Sequence, residues 1–275
     1  MLISIVITTK NEEKNIANCL ESIKKQNYPQ NKIEVVVVDN KSIDKTKEIA
    51  KSFIKEPASL NLKVLDCGPE RSAQRNFGVR ETSGEYFLYL DADMILSPNV
   101  IRDCVNKIEN DPDLIALHIS EIIMGKKFFS KVRRFERSFY DGTVIDGVRF
   151  IKKSQFLKVG GFDENLTGPE DWDLDKKLKL IGKIALLKTP IYHNEAEFDL
   201  RKYLSKKGYY AKQFDEYISR CGKNDPDLKK QIGFYYRYFG VFVENGKWKK
   251  IVAHPILAAG MYFLRILVGI KFLLR

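Results

Sequence analysis

The chain has 275 residues, of which 44% are hydrophobic and 30% charged, and its formal net charge is +11. That size and apolar content suit one large α/β domain, or one domain with a C-terminal appendage. The excess of basic residues points to an anionic partner (nucleic acid, a phosphorylated substrate or an anionic membrane) or to a lysine-rich solvated surface. Cys19, Cys67, Cys104 and Cys221 are scattered and form no CxxC pair, which argues against a disulfide framework or a zinc site and for a reducing cytoplasm.

Met1-Leu2-Ile3-Ser4 leads straight into a strand pattern, with no basic segment before an apolar one, so no secretory signal is expected. Residues 3–9 are apolar and β-branched, as are 33–38, and 86–90 repeat the pattern with aromatics. Near-continuous apolar runs are what a parallel sheet covered on both faces requires. Between the first two runs, Ile16, Leu20 and Ile23 recur at helical spacing within 13–26, and a second helix is expected over 44–55. This alternation predicts an α/β nucleotide-binding architecture.

Residues 62–66 read as a short strand, 72–82 as a helix ended by Ser83-Gly84, and 115–123 as a strand. The basic, aromatic stretch 125–149 reads as a helix or a loop. Residues 170–181 read as a helix, and 184–187 as a short strand. From about 199 the chain changes character, with many tyrosines among lysines and arginines. It then becomes strongly apolar over 251–275, after Lys247-Trp248-Lys249-Lys250.

Ligands of open α/β sheets bind beyond the carboxyl ends of the strands. Here those ends carry Thr8-Thr9-Lys10-Asn11-Glu12, Asp39-Asn40-Lys41-Ser42 and Asp91-Ala92-Asp93. Asp39 alone would also suit a strand-end turn. No GxGxxG follows the first strand and no GxxxxGK[ST] occurs, which disfavours a Rossmann dinucleotide site and a P-loop. In extended backbone, residues two apart point the same way. Asp91 and Asp93 would then present two hard oxygen ligands suited to Mg²⁺ or Mn²⁺.

The stretch from Thr82 to Asp93 resembles the core signature of family-two inverting glycosyltransferases of the GT-A fold. Residues 4–23 resemble that family's opening strand and helix. The segment around Asp39 resembles its second strand, although Asn40-Lys41-Ser42-Ile43-Asp44 stands where Asp-Gly-Ser-Thr-Asp is usual. The resemblance covers about residues 1–195.

It implies a GT-A fold, Rossmann-like with a mostly parallel sheet flanked by helices, over 1–198. A helical, membrane-associating extension over 199–275 completes the expected organisation. It implies that Thr8, Asn11 and Glu12 line a nucleoside pocket, and that Asp39 bonds the base. Arg71 and Arg75 would lie near the nucleotide; either also suits a solvated helix face. Asp91 would contact ribose or sugar, and Asp93 would bind Mn²⁺ or Mg²⁺, with His193 as a further ligand.

In Gly168-Pro169-Glu170-Asp171-Trp172-Asp173, the acidic residues suit a helix N-terminus. The resemblance gives Asp171 a sharper part, as the base that deprotonates an acceptor hydroxyl. Glu170 would position base or acceptor, and Trp172 would stack on a sugar. The implied donor is a UDP- or GDP-sugar, and the implied acceptor a glycan or lipid-linked glycan.

Ile251–Leu264 is uncharged but 14 residues long, short of the ~20 that a spanning helix needs, and Arg265 and Lys271 follow. An interfacial helix anchored by Lys247–Lys250 on the cytoplasmic side of the cell membrane is the preferred expectation. A single spanning helix and a helix packed on the domain are the alternatives. For function, the alternatives are a polyprenyl-phosphate glycosyltransferase, a sugar-nucleotide pyrophosphorylase and a non-catalytic membrane adaptor. The pyrophosphorylase would want a glycine-rich loop after the first strand, which TTKNEEKN lacks. No recognised module supports a nucleic-acid partner.

Overall fold

The computed structural model describes residues 1–55, 60–211, 214–222 and 224–273. Its elements in chain order begin with β1 (Ile3–Thr9), α1 (Ile16–Lys24), β2 (Ile33–Asp39), α2 (Thr46–Lys55), β3 (Asn61–Asp66) and α3 (Arg71–Arg80). The middle of the chain supplies β4 (Tyr86–Asp91), β5 (Met94–Leu96), α4 (Val100–Asn110), β6 (Leu114–Ile123), α5 (Phe128–Arg137), β7 (Val148–Lys152) and α6 (Lys153–Lys158). Then follow α7 (Glu170–Lys179), β8 (Lys183–His193), α8 (Leu200–Ala211), α9 (Phe214–Cys221), α10 (Pro226–Ile232), α11 (Val241–Val243), α12 (Trp248–Ala253) and α13 (Pro255–Leu273).

The eight strands form one sheet in the order β3-β2-β1-β4-β7-β6-β8-β5. The first four in that order are mutually parallel, β7 runs antiparallel to β4 and β6, and β5 runs antiparallel to β8. This is the mixed α/β, GT-A-like architecture expected of the pattern. β1 and β2 are buried at every residue, as their unbroken apolar runs require.

One apolar layer joins the sheet to α1, α2 and α4, and another joins it to α3, α6 and α7. Two of the polar residues buried in these strands, Ser4 and Glu34, satisfy one another. Glu34 accepts from the Ser4 hydroxyl at 2.5 Å and from the Gly84 amide at 2.8 Å, which ties β1 and β2 to the turn before β4. Its burial would raise the carboxyl pKa, but these hydrogen bonds hold it low.

α3 lies close on the sheet because Gly78 has no side chain. A β-carbon there would meet Val6 Cγ1 at 2.5 Å and Val38 Cγ2 at 2.9 Å. Gly78→Ala is expected to destabilise the fold by about 1–3 kcal/mol through overpacking. Denaturant unfolding would read the loss as a lower midpoint at unchanged slope.

The described chain after 199 is mostly helical, and part of it packs on the rest of the chain. Val241, Phe242, Ala258, Met261 and Leu264 form one cluster with Val132, Phe135 and Phe139. The expected C-terminal helix breaks at His254, before Pro255, and α13 then runs for 19 residues. Residues 274 and 275 of the apolar segment lie outside the described part.

Arg265 does not interrupt an apolar outer face. It is 6% exposed and turned inward, donating to Glu136 Oε1 at 2.8 Å and to the Tyr140 hydroxyl at 2.7 Å. Ile256, Phe263, Ile266, Ile270 and Leu273 are exposed on α13 at helical spacing. Apart from the inward Arg265, the helix is thus apolar on its packed face and also carries an apolar stripe on its outer face.

Candidate active site

The site lies at the carboxyl ends of β1 and β4, between α3, α7 and the end of β8. Parallel register sets Thr8 beside Asp91, and the Thr8 hydroxyl donates to Asp91 Oδ1 at 3.1 Å. Strand geometry ends at Asp91, and the chain turns through Ala92 and Asp93 into β5. The two carboxylates therefore do not form the shared pair that extended backbone would give. Asp91 belongs to the β1–β4 side. Asp93 is carried to β8, where its carbonyl accepts from the Asn194 amide at 2.8 Å.

Arg75 is the hub. It is 1% exposed, which excludes the solvated-face alternative. Nη2 donates to Asp91 Oδ1 at 3.0 Å and Nη1 to Asp171 Oδ1 at 3.0 Å, while Glu170 Oε1 is 3.7 Å from Nη1. Its guanidinium also lies over the rings of Tyr89 and Phe162. Burial disfavours the charged guanidinium, but Asp171 and Asp91 outweigh it and raise the pKa further. Burial likewise disfavours the Asp91 carboxylate, yet Arg75, Arg71 and Arg149 hold its pKa far below the usual range.

Asp171 opens α7. Besides Arg75, the Tyr89 hydroxyl donates to the same Oδ1 at 3.0 Å. A β-carbon at Gly147 would fall 3.0 Å from Asp171 Cβ, so the glycine gives the carboxylate room. Glu170 is 2% exposed and accepts from Arg71 Nη2 at 3.1 Å and from the Gly168 amide. Burial, then Asp171, raises its pKa. With both oxygens engaged, Glu170 positions Arg71 and the loop before α7.

At the other end, His193 is held between two carboxylates. Its Nε2 is 3.1 Å from Asp93 Oδ2, and its Nδ1 is 2.7 Å from Glu121 Oε1. Burial opposes an imidazolium, but the hydrogen bonds to Asp93 and Glu121 prevail and push its pKa up to about 10. Asp93 Oδ1 is buried without a hydrogen-bond partner.

Among the described residues, no three His, Cys, Asp or Glu side chains converge as a metal cage. The donor set nevertheless fits a divalent ion bound through few protein ligands and completed by phosphate oxygens. An unpartnered carboxylate oxygen and an imidazole nitrogen share one spot. Glu121 holds the far ring nitrogen in the manner usual behind metal-binding histidines.

A cavity of about 400 Å³ is lined by, among others, Thr8, Glu12, Arg71, Asp91, Asp93 and His193. A smaller cavity of about 180 Å³ is lined by Arg137, Ile145, Asp146 and Trp172. Asp171, Gly168 and Arg149 line both.

Three residues singled out in the sequence stand elsewhere. Asp39 is fully buried and accepts from the Ser42 amide at 2.8 Å and the Ser42 hydroxyl at 2.5 Å. Asn11 accepts from the Ile43 amide at 2.9 Å in the same loop pair. Neither lines the large cavity. Trp172 lines the small one, against Phe214, Tyr217 and the Arg237 guanidinium.

Sequence reading missed Tyr89, Glu121, Arg149 and the α8 residues. Tyr89 was accessible, because it sits two residues before Asp91 on the same strand face. A glutamate inside the apolar strand β6 was a second signal.

A family model described as glycosyl transferase family 2 matches residues 4–162. The poly(ribitol-phosphate) beta-N-acetylglucosaminyltransferase TarS of Staphylococcus aureus is 31% identical over 234 residues, covering 76% of this chain and 39% of TarS. The dolichyl N-acetyl-alpha-D-glucosaminyl phosphate 3-beta-D-2,3-diacetamido-2,3-dideoxy-beta-D-glucuronosyltransferase of Methanococcus voltae is 26% identical over 203 residues, covering 64% of this chain and 61% of that protein. The chain thus spans less than two thirds of the length of these curated relatives. Among solved structures, the mannosyltransferase PcManGT from Pyrobaculum calidifontis, in complex with GDP-Man and Mn²⁺, superposes with a TM-score of 0.69 at 20% identity. The match covers 98% of this chain and 86% of that one, and is a likeness of fold.

Proposed function

This chain belongs to glycosyl transferase family 2, and from that premise we propose that it moves a sugar from a nucleotide-sugar donor to an acceptor hydroxyl with inversion. The observation that carries the reading is Asp171 at the junction of the two cavities. The larger one suits the donor, and the smaller one admits the acceptor. A carboxylate between them can take the hydroxyl proton as the oxygen attacks the anomeric carbon. Attack from the face opposite the nucleotide inverts the configuration in one displacement.

Arg75 and Tyr89 hold that carboxylate in position by engaging one of its oxygens. Asp91 and Thr8 lie where ribose or sugar hydroxyls would be met, and Arg71 offers its guanidinium to the nucleotide. Asp93 and His193 would hold Mn²⁺ or Mg²⁺, which when bound would neutralise the diphosphate and stabilise the leaving nucleotide. TarS in complex with UDP-GlcNAc and PcManGT with GDP-Man support a UDP- or GDP-sugar donor. A thermal-shift screen of nucleotide sugars with and without Mn²⁺ tests the reading. Stabilisation by at least one of them is expected, and none by any would overturn it.

The protein is further proposed to sit on the cytoplasmic face of the cell membrane, with α13 in the interface. By length and composition α13 is apolar enough to cross a membrane, with mean hydropathy 1.9. Spanning would withdraw Arg265 from Glu136 and strip the cover from α5, whereas lying flat preserves both. The exposed stripe would face the lipid, flanked by exposed Trp248 and Lys249. The double substitution Ile266→Glu/Ile270→Glu is expected to lower partitioning onto anionic vesicles by about tenfold or more. Unchanged co-sedimentation would sink the membrane proposal.

A further inference from the structure

We propose that α8, which lies beyond the residues matched by the family model, completes the donor site, and that its Tyr210 is a positioning residue that holds the Arg71 guanidinium ready for the nucleotide; the inference rests on the glycosyl-transfer reading. Arg71 and Tyr210 stand 139 positions apart in the sequence, and both line the large cavity.

Arg71 is the first residue of α3, so its long side chain has no preceding helical turn to lie on. Such a side chain loses rotamer freedom on meeting a ligand unless something has fixed it beforehand. Here two neighbours fix it. Arg71 Nη2 donates to Glu170 Oε1 at 3.1 Å and to the Tyr210 hydroxyl at 3.2 Å. The guanidinium carbon also lies 5.5 Å from the centroid of the Tyr210 ring. Both hydrogen bonds fall on Nη2, and 34% of the Arg71 side chain is still exposed, so its other N–H groups stay open to a ligand. Tyr210 gives Arg71 both its hydroxyl and its ring, and would act on the nucleotide through that arginine.

The end of α8 is fitted to this place. Gly168 has a φ of +112°, on the left-handed side that favours glycine. A β-carbon there would fall 3.0 Å from Tyr210 Cβ and 3.3 Å from Tyr210 Cγ. The glycine thus lets the tyrosine settle on the loop whose amide also bonds Glu170. Beside it, the Tyr209 hydroxyl lies 3.5 Å from Oε1 of Glu70, the residue before Arg71. Tyr209 and Tyr210 therefore join α8 to the two segments that carry Arg71 and Glu170.

α8 presents a whole face to the cavity rather than one side chain. Tyr203, Lys206, Lys207 and Tyr210 follow the i, i+3, i+4, i+7 spacing of a single helix face, and all four line it.

The test titrates the full-length chain with UDP and with GDP in Mn²⁺ by calorimetry, then takes the tighter ligand through a double-substitution cycle of Arg71→Ala and Tyr210→Ala. With Arg71 present, Tyr210→Ala is expected to weaken binding by about tenfold, and Tyr210→Phe, which keeps the ring, by about three- to fivefold. In the Arg71→Ala background, either change at Tyr210 should alter affinity by less than about twofold. A merely structural tyrosine would weaken binding by the same factor in both backgrounds. Circular dichroism establishes that each variant is folded. Should Tyr210→Ala fail to fold, Tyr210→Phe decides by the same comparison.

An equal loss with and without Arg71 would overturn the proposal, because the tyrosine would then act on the nucleotide or on the shape of the cavity. Unchanged affinity in both Tyr210 variants also overturns it. In either case a native chain that binds UDP or GDP keeps the donor reading, and only this inference fails. If no nucleotide sugar stabilises the native chain and neither nucleotide binds, the transferase reading itself fails.

Discussion

Asp171→Asn is expected to leave donor binding within about twofold and to lower sugar transfer by about 10²–10⁴-fold. The substitution keeps the shape of the side chain and an oxygen for the two hydrogen bonds that fix it, from Arg75 Nη1 and the Tyr89 hydroxyl. Arg75 keeps Asp91 and Glu170 as counter-charges, so the fold should hold. What disappears is the basic oxygen. An amide cannot accept the acceptor's proton, so the attacking hydroxyl stays a weak nucleophile. Calorimetry of the nucleotide sugar with Mn²⁺ and a product-release assay separate binding from chemistry. Full turnover in the variant would remove Asp171 as the base. It would also fit an acceptor whose nucleophile is already ionised, as a phosphate is.

Much of the framework is written in local pattern. The runs at 3–9, 33–38 and 86–90 become three adjacent parallel strands, and the helix expected over 170–181 forms over Glu170–Lys179. β5 and β7 escape because each is short and gains its identity from a partner remote in sequence. The stretch 125–149 could not be resolved from composition, since α5 is defined by packing under α13.

The site divides along the same line. Asp171 and His193 stand out because their motifs are local. The coupling of Asp171 to Tyr89, and of His193 to Glu121, exists only once β4, β6, α7 and β8 are assembled. The turn at Ala92–Asp93 decides the matter of the two aspartates. Spacing alone made them a pair, but the turn sends one to Arg75 and the other to His193.

That separation makes Asp93→Ala the informative test of metal dependence. In the native protein, Mn²⁺ should strengthen nucleotide-sugar binding. In the variant the gain should vanish, with affinity in Mn²⁺ falling by on the order of 100-fold to the level measured in chelator. The effect should be large because few ligands are on offer: among the described residues of the cavity, Asp93 Oδ1 is the one buried carboxylate oxygen without a partner. The fold should tolerate the change, since Glu121 still engages His193 at 2.7 Å.

Asp91→Ala would be a poor substitute. It would remove a partner of buried Arg75, and breaking a buried ion pair costs about 3–5 kcal/mol, so lost binding there could reflect lost folding. Circular dichroism on Asp93→Ala, beside calorimetry in Mn²⁺ and in chelator, keeps the two effects apart. A folded Asp93→Ala protein with undiminished Mn²⁺-dependent affinity would take the ion away from Asp93, and leave His193 between its carboxylates as a structural ion pair.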